Sequence, residues 1–184
     1  IKRIVQIGNT AFSSSNFDEH SFSKGVDYIN NHSDCDFVIH SGDVTVHSYI
    51  DEYEIAKTRL QEFSKPLITV PGDNDYLPLG DQLFPKFVGP IHPSYEDDDA
   101  IVVGYNTCLI DERTGRLGRG NTADFIAKLT NASTKIGILT FHHAIIPLAG
   151  IKHDAELMDA GDVRDSIVKN RVNLVLSGAK NRSG

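Results

Sequence analysis

Short apolar runs that end in small polar residues recur along this sequence and limit the folds that it can adopt. The clearest run is Phe37–Ser41, which is followed at once by Gly42 and Asp43. A run of this length is typical of a buried strand, and the glycine permits a sharp turn that presents the aspartate. Four further runs end in a similar way, at Asn9, Asp73, His142 and Asn181. Because ligands bind at the carboxyl ends of strands in open α/β sheets, we expect these five side chains to share one crevice.

Helical and extended patterns alternate in the first 70 residues. Apolar residues with helical spacing occur in Ser21–His32, with Ser21 or Ser23 as the cap, and in Tyr49–Phe63. The flanking strands are predicted at Lys2–Ile7, Phe37–Ser41 and Leu67–Val70. This order of strands and helices predicts a parallel sheet with right-handed crossovers.

The second half of the chain is less regular. Tyr76–Pro93 contains four prolines, which predicts an irregular loop over the crevice, and the acidic run Glu96–Asp99 predicts a solvated turn rather than a cation site. Helices are predicted at Asn121–Leu129, capped by Asn121 or Thr122, and at Met158–Lys169. The predicted strands are Ala100–Thr107, Cys108–Asp111, Lys135–Phe141 and Val172–Ser177.

The composition is that of an ordinary globular protein. Hydrophobic residues make up 40% of the chain and charged residues 23%, which argues against disorder. A length of 184 residues favours one domain that spans residues 1–184. The sequence does not begin with Met and stops at Gly184 soon after a predicted strand, so a fold truncated at its C-terminus is also compatible with it.

Charge and cysteine content restrict the partners and the compartment. The net charge of −7 makes nucleic acid an unexpected partner, although a small basic patch at Arg113, Arg116 and Arg119 stays open. No apolar run approaches the roughly 20 residues that span a bilayer, so we expect no membrane association. Cys35 and Cys108 lie far apart without metal-ligand spacing, which predicts reduced thiols in a cytoplasmic protein.

The motifs at the predicted strand ends, taken in order, resemble those of the calcineurin-like metallophosphoesterases. In that family Asp-x-His follows the first strand, Gly-Asp the second and Gly-Asn-His-Asp the third, and a histidine and then Gly-His-x-His come later. The corresponding stretches here are Ile7–Phe12, Ser41–Thr45, Val70–Asp75, Phe141–Pro147 and Leu176–Asn181. The resemblance covers nearly the whole chain and implies an α/β fold, a four-layer α/β/β/α sandwich of two sheets flanked by helices.

The resemblance also implies a pair of divalent metals about 3.5–4 Å apart, which together activate water and hold the phosphate. The first metal of the family uses positions that are occupied here by Asn9, Ala11 and Asn181. An alanine methyl group cannot bind a metal, and an amide oxygen is a neutral and weaker ligand than a carboxylate. We therefore expect this first site to be degenerate.

The second site keeps more of its ligands. The family positions are occupied here by Asp43, Asp73, His142 and Ala179, so three of the four can still bind a cation. One Mn²⁺, Zn²⁺ or Fe ion is the expectation if the site functions, and no metal is the alternative. The structural alternatives are a turn cap for Asp43, a turn residue for Asp73 and a hydrogen-bonded histidine for His142.

The residues around this site argue against efficient hydrolysis. Asn74 replaces the histidine that assists the leaving group in the family, and an amide cannot act as a general acid, so we assign no catalytic residue. His143, Asp75 and Lys180 are predicted to line the crevice. Lys180 is either solvated or offers its charge to a phosphate.

Three functions are compatible with these observations. The first is a degenerate phosphoesterase-fold protein with weak or no hydrolysis, which binds or scaffolds a protein partner. The second is a phosphodiesterase or phosphatase that retains one divalent cation. The third is a module that binds a phosphate-containing small molecule, such as a nucleotide, without turnover.

Overall fold

Two β-sheets stacked face to face form the centre of the fold in the computed structural model, which describes residues 1–15, 17–146, 156–170 and 172–179. The first sheet is parallel and has the order β1-β2-β3: Ile4–Ile7, Phe37–His40 and Leu67–Thr69. The second has the order β4-β5-β6-β7: Ser94–Glu96, Ala100–Gly104, Ile136–Thr140 and Leu174–Leu176. In this second sheet β4 is antiparallel to β5, and the other pairs are parallel. The parallel sheet that the sequence predicted is confirmed.

Helices cover the outer faces of the two sheets. Within the described residues, the α-helices are α1 to α5: Glu19–Asp27, Ile50–Leu60, Gly80–Phe87, Gly118–Asn131 and Ala160–Lys169. A π-helical turn, Tyr28–His32, extends α1, and a 3-10 turn, Asp73–Tyr76, follows β3. None of these helices is both long enough and apolar enough to cross a bilayer.

Alternating side chains of the strands build the interface between the sheets. On β2, Phe37 and Ile39 face the second sheet, where they pack with Val102 and Ile138. Val38 points to the opposite face and contacts Ile29 of the π-helical turn. This two-residue period, which places successive side chains on opposite faces, is the reason that a fully buried strand can contribute to two cores.

The outer cores complete the layers. Phe125 of α4 and Val163 of α5 pack against Leu139 of β6 in one of them. Tyr53 of α2 and Phe84 of α3 belong to another on the far side of the first sheet. The arrangement is helix, sheet, sheet, helix, which confirms the predicted four-layer α/β/β/α sandwich.

The prediction of an irregular loop at Tyr76–Pro93 is wrong, because this segment contains α3. The helix includes Pro85, which lacks the amide hydrogen that helices need and therefore made the segment read as a loop. Its Phe84 ring lies edge-on to Tyr53, and its Phe87 ring stacks on the same tyrosine. The burial of these aromatic rings outweighs the local preference against a helix.

The strand prediction at Cys108–Asp111 is also wrong. There the structure has a turn, and Cys108 forms only an isolated bridge with Gly115. The strand β4, which the sequence did not predict, has three residues and a partly exposed pattern. A short edge strand without an apolar run gives no periodic signal, so only its pairing with β5 defines it.

Two helix caps differ from the prediction. Asp18, not Ser21 or Ser23, caps α1, because its carboxylate accepts hydrogen bonds from the amides of His20 and Ser21 at 3.1 Å. Helix α4 begins at Gly118, before the predicted caps. Asn121 and Thr122 lie inside α4 and donate instead to carbonyl groups four residues earlier, those of Leu117 and Gly118.

The acidic run forms the turn between β4 and β5. Asp97 accepts hydrogen bonds from the amides of Asp99 and Ala100 at 2.9 Å, and its other oxygen lies 2.9 Å from Lys2 Nζ. The hydrogen bond from Lys2 lowers the pKa of Asp97 to about 2, and the amide donors act in the same direction. The turn thereby connects the second sheet to the residues that precede β1.

We expect Asp97→Asn to lower the free energy of unfolding at neutral pH, because the amide keeps the turn geometry but loses the ion pair with Lys2. A carboxyl group with a lowered pKa stabilises the folded state above its ordinary pKa of 3.8 and loses this effect as the pH falls through 2. Urea unfolding at pH 7 and pH 2 measures the difference, which should be much smaller at the lower pH, where about half of the folded molecules carry a protonated Asp97. Asp98→Asn, in the same turn, is the control and should match the wild type. An Asp97→Asn difference of equal size at both pH values would contradict the ion-pair account.

Candidate metal centre

The site begins with a sharp turn at the end of β2. Gly42 and Asp43 both have positive φ angles, +101° and +60°, so the chain reverses direction and turns the Asp43 carboxylate inward. Asp43 is buried, with 4% of its surface exposed. A non-glycine residue in the left-handed region costs free energy, and such strain persists only where neighbouring contacts hold it.

Three strand ends also approach one another closely at Gly42. A β-carbon at this position would lie 2.5 Å from His142 Nδ1, after β6, and 2.7 Å from the Gly72 amide, after β3. Distances this short are not possible for a real β-carbon, so only glycine permits the approach. The close approach brings Asp43, Asp73 and His142 together, as the sequence predicted.

The three side chains form a compact cluster. His142 Nε2 lies 3.0 Å from Asp73 Oδ1 and 3.8 Å from Asp43 Oδ2. One donor atom from each residue lies within 4.8 Å of the others, and all three residues are buried. In the described part of the chain this is the cluster of His, Cys, Asp and Glu that could hold a metal ion.

A backbone hydrogen bond orients the imidazole of His142. The Nδ1 atom lies 2.8 Å from the carbonyl oxygen of Ser41, which can only accept, so Nδ1 carries a hydrogen. The Nε2 atom therefore faces the two carboxylates and can offer its lone pair to a cation, as in metal-bound histidines that are held from the other ring nitrogen.

The same atom binds a proton when no cation is present. Burial alone would lower the pKa of His142, but the carboxylates of Asp43 and Asp73 outweigh it and raise this pKa to about 9. Burial likewise favours the neutral carboxyl group at Asp73, yet His142 and Arg113 keep the pKa of Asp73 below its ordinary value. A proton on His142 Nε2 would therefore have to leave before this atom could bind a divalent cation.

Asp75 has a different place from the three cluster residues. It is fully buried, and its carboxylate accepts hydrogen bonds from the amides of Val44, Thr45 and Gly72 at 2.8–3.2 Å. The Thr45 hydroxyl group donates to it as well, at 2.8 Å. The two Asp75 oxygens therefore connect the loop after β2 to the loop after β3. Both oxygens already accept hydrogen bonds from these backbone and hydroxyl donors.

The ring of His143, the predicted crevice neighbour, lies edge-on to the ring of His142 with centroids 5.2 Å apart, and its nitrogens form hydrogen bonds outside the cluster. Its Nδ1 lies 2.8 Å from Thr107 Oγ1 and its Nε2 lies 3.2 Å from the Arg113 carbonyl oxygen. Burial lowers the pKa of His143 to about 4, so the ring is neutral. The carbonyl of Arg113 requires a hydrogen on Nε2, which leaves Nδ1 to accept from Thr107.

The residues at the first-site positions lie beside the cluster. The backbone amide of Asn9 donates to the Gly42 carbonyl at 2.9 Å, and the backbone amide of Ala11 donates to the Asp43 carbonyl at 3.0 Å. The Asn9 side-chain oxygen is buried and has no hydrogen-bond partner among the residues that the structure describes. Asn74 contributes its backbone amide, which donates to Asp43 Oδ1 at 3.1 Å.

The predictions for Lys180 and Asn181 fall outside the described residues. Hydrogen bonds hold the two residues before them, since the backbone amides of Gly178 and Ala179 both donate to the His142 carbonyl at 2.8 Å. This contact confirms that the strand end after β7 reaches the end of β6.

The sequence motifs did not predict that Arg113 lies at the site. Its Nη1 lies 3.4 Å from Asp73 Oδ2. The only signal was its membership of the possible basic patch, because a contact across forty residues leaves no local pattern.

Comparisons with known proteins agree with this geometry. The sequence model of the calcineurin-like phosphoesterase family matches residues 3–178. A probable cyclic nucleotide phosphodiesterase of Xenorhabdus bovienii is 24% identical over 156 residues, which are 82% of this chain and 62% of that protein. The chain thus spans about three fifths of the length of this relative.

Two solved structures share the fold. A purple acid phosphatase from yellow lupin seeds (Lupinus luteus) superposes with a TM-score of 0.70 at 16% identity, over 96% of this chain and 37% of that chain. A second structure has a TM-score of 0.62 at 14% identity, over 95% of this chain and 82% of that chain.

We expect Gly42→Ala to destabilise the protein by about 2–5 kcal/mol, because it combines backbone strain with overlap against His142. The matched control is Gly25→Ala in α1, where a β-carbon meets nothing within 4 Å. That control should be neutral or stabilise by about 0.5–1 kcal/mol, the helix preference of alanine over glycine. Urea unfolding of both variants tests the constraint, and equal stabilities would refute it.

Proposed function

This chain belongs to the calcineurin-like phosphoesterase family, and we propose that it is a member that binds one divalent cation and hydrolyses phosphoesters weakly or not at all. Its role would then be to bind a phosphate-containing small molecule in the crevice. A scaffolding role towards a protein partner is the alternative form of the same proposal, because both follow from a retained fold with reduced chemistry.

The observation that carries the proposal is the incomplete ligand set around an intact fold. Asp43, Asp73 and His142 form one cluster, whereas Asn9 and Ala11 stand at two first-metal positions of the family. Two-metal hydrolysis requires two adjacent cations that hold the attacking and leaving oxygens. One three-residue cluster supports one cation.

The residues of the cluster fit such a cation. Two carboxylates and one imidazole suit Mn²⁺, Zn²⁺ or Fe²⁺, and the His142 ring is already held with its Nε2 towards the carboxylates. The side-chain oxygen of Asn9, which has no hydrogen-bond partner in the described part of the chain, is a further neutral metal ligand near the turn. A bound divalent cation would supply Lewis-acid polarisation of a phosphoryl oxygen.

The chain's own residues do little to move protons at this site. Asn74 presents its backbone amide to Asp43, and its side-chain amide cannot protonate a leaving oxygen. His143 is neutral, and its two ring nitrogens are hydrogen-bonded to Thr107 and to the Arg113 carbonyl, so neither nitrogen is available for proton transfer. Binding without efficient turnover is the outcome that these groups support.

A single-cation phosphodiesterase is the second candidate. The intact cluster favours it, and so does the Xenorhabdus bovienii relative, whose description names cyclic nucleotides. If that substrate class carries over, this chain would cleave a cyclic nucleotide slowly with one bound cation.

Calorimetric titration with Mn²⁺ and Zn²⁺ separates these possibilities. We expect about one equivalent to bind the wild type, and binding to weaken strongly in Asp43→Asn, which keeps an acceptor for the Asn74 amide but removes the charge. Asp98→Asn is the surface control with the same change in charge. Binding of two equivalents, or binding that Asp43→Asn leaves intact, would overturn the proposed site.

A bis(p-nitrophenyl) phosphate assay on the same samples tests the loss of hydrolysis. We expect no turnover, or slow turnover that Asp43→Asn abolishes. Metal-dependent turnover as fast as that of an active two-metal phosphodiesterase, measured in parallel, would establish the second candidate instead.

Restoring the first-site ligands is the complementary experiment. We expect the triple variant Asn9→Asp, Ala11→His, Asn181→His to raise the Mn²⁺ stoichiometry from about one to about two, because it replaces a methyl group and two amides with metal ligands. Circular dichroism first verifies that the triple variant is folded. Gly25→Ala, a substitution in α1, is purified in the same way as a control and should bind Mn²⁺ like the wild type. An unchanged stoichiometry in a folded variant would show that missing ligands are not the cause of the single site.

A further inference from the structure

Arg113 stands at the edge of the cluster on a backbone that is firmly held. Its carbonyl accepts a hydrogen bond from the fully buried ring of His143, whose other nitrogen accepts from Thr107. Gly115, two residues later, packs so closely on this ring that a β-carbon would overlap it. The loop between β5 and α4 therefore carries Arg113 at a defined position next to Asp73.

The side chain of Arg113 is held much less firmly than its backbone. It is 72% exposed, and its Nη1 lies 3.4 Å from Asp73 Oδ2. Charge-assisted hydrogen bonds between arginine and carboxylate are normally about 2.7–2.9 Å long, so this contact is weak. Among the described residues, the guanidinium has no second hydrogen-bond or ion-pair partner in the structure.

Asp73 divides its two oxygens between two positive groups. Oδ1 faces His142, and Oδ2 faces Arg113. A cation bound by Asp73 would compete with Arg113 for the same carboxylate. The released guanidinium would then stand beside a cation at the mouth of the crevice, where an anion is the ligand that both positive groups attract.

We propose that Arg113 is the residue that binds the phosphate of the ligand, exchanging its weak contact with Asp73 for the phosphate oxygens. A guanidinium presents parallel N–H donors that match a phosphate group, and within the described ranges Asp73 is the contact of these donors. The inference rests on the proposed function, since it needs a cation at Asp73, and it adds the group that recognises the anion. It also gives a reason why Asp73, which carries a charge where the family motif has a neutral asparagine, lies next to an arginine.

The test is calorimetric titration of the Mn²⁺-loaded full chain with AMP and with adenosine, which lacks the phosphate. We expect AMP to bind the wild type at least about tenfold more tightly than adenosine, the factor that one charge-assisted hydrogen bond provides. Arg113→Gln should weaken AMP binding by about tenfold, although the bound cation still attracts the phosphate, and Arg113→Lys should retain part of the wild-type affinity. Arg116→Gln, an exposed arginine in the same loop, should bind AMP like the wild type.

Titration of each variant with Mn²⁺ alone keeps the two proposals distinguishable. We expect Arg113→Gln to bind Mn²⁺ at least as tightly as the wild type, because a competing positive group is removed from Asp73. Equal AMP affinity in the wild type and Arg113→Gln, or wild-type AMP binding no tighter than adenosine binding, would overturn the role of Arg113 while the cation site stands. Failure of the wild type to bind Mn²⁺ would overturn both proposals.

Discussion

The close approach of three strand ends at Gly42 is the constraint on which the site depends. The position has no room for a side chain, because His142 and Gly72 lie where a β-carbon would be. The positive φ angles of Gly42 and Asp43 are the conformational cost of this approach. Hydrogen bonds of the buried Asp75 to Val44, Thr45 and Gly72 hold the loops together against that strain.

The charges of the site are balanced by protein groups. Two buried carboxylates, Asp43 and Asp73, would repel one another in a medium of low polarity. A positively charged His142 lies between them, and Arg113 approaches the outer oxygen of Asp73. Protein groups therefore place positive charge beside both carboxylates.

Local patterns explain why much of the fold was predictable. Each strand that ends at the site is apolar and is followed by a turn residue, and both features lie within a few adjacent positions. The helix α3 was missed because Pro85 argues against it locally, while its stabilising contacts with Tyr53 come from α2. The strand β4 was missed because its pairing with β5, and not an apolar run, defines it.

The sequence by itself determined the strand ends, the order of the motifs and the three residues Asp43, Asp73 and His142, since each follows from residues that are close along the chain. Only the tertiary structure decided what these residues do to one another. The pKa of His142, the occupation of Asp75 by amide donors and the position of Arg113 all arise from groups separated by about 30 to 100 residues. Electrostatic and hydrogen-bond energies depend on distance in space, and that distance is set when the two sheets pack.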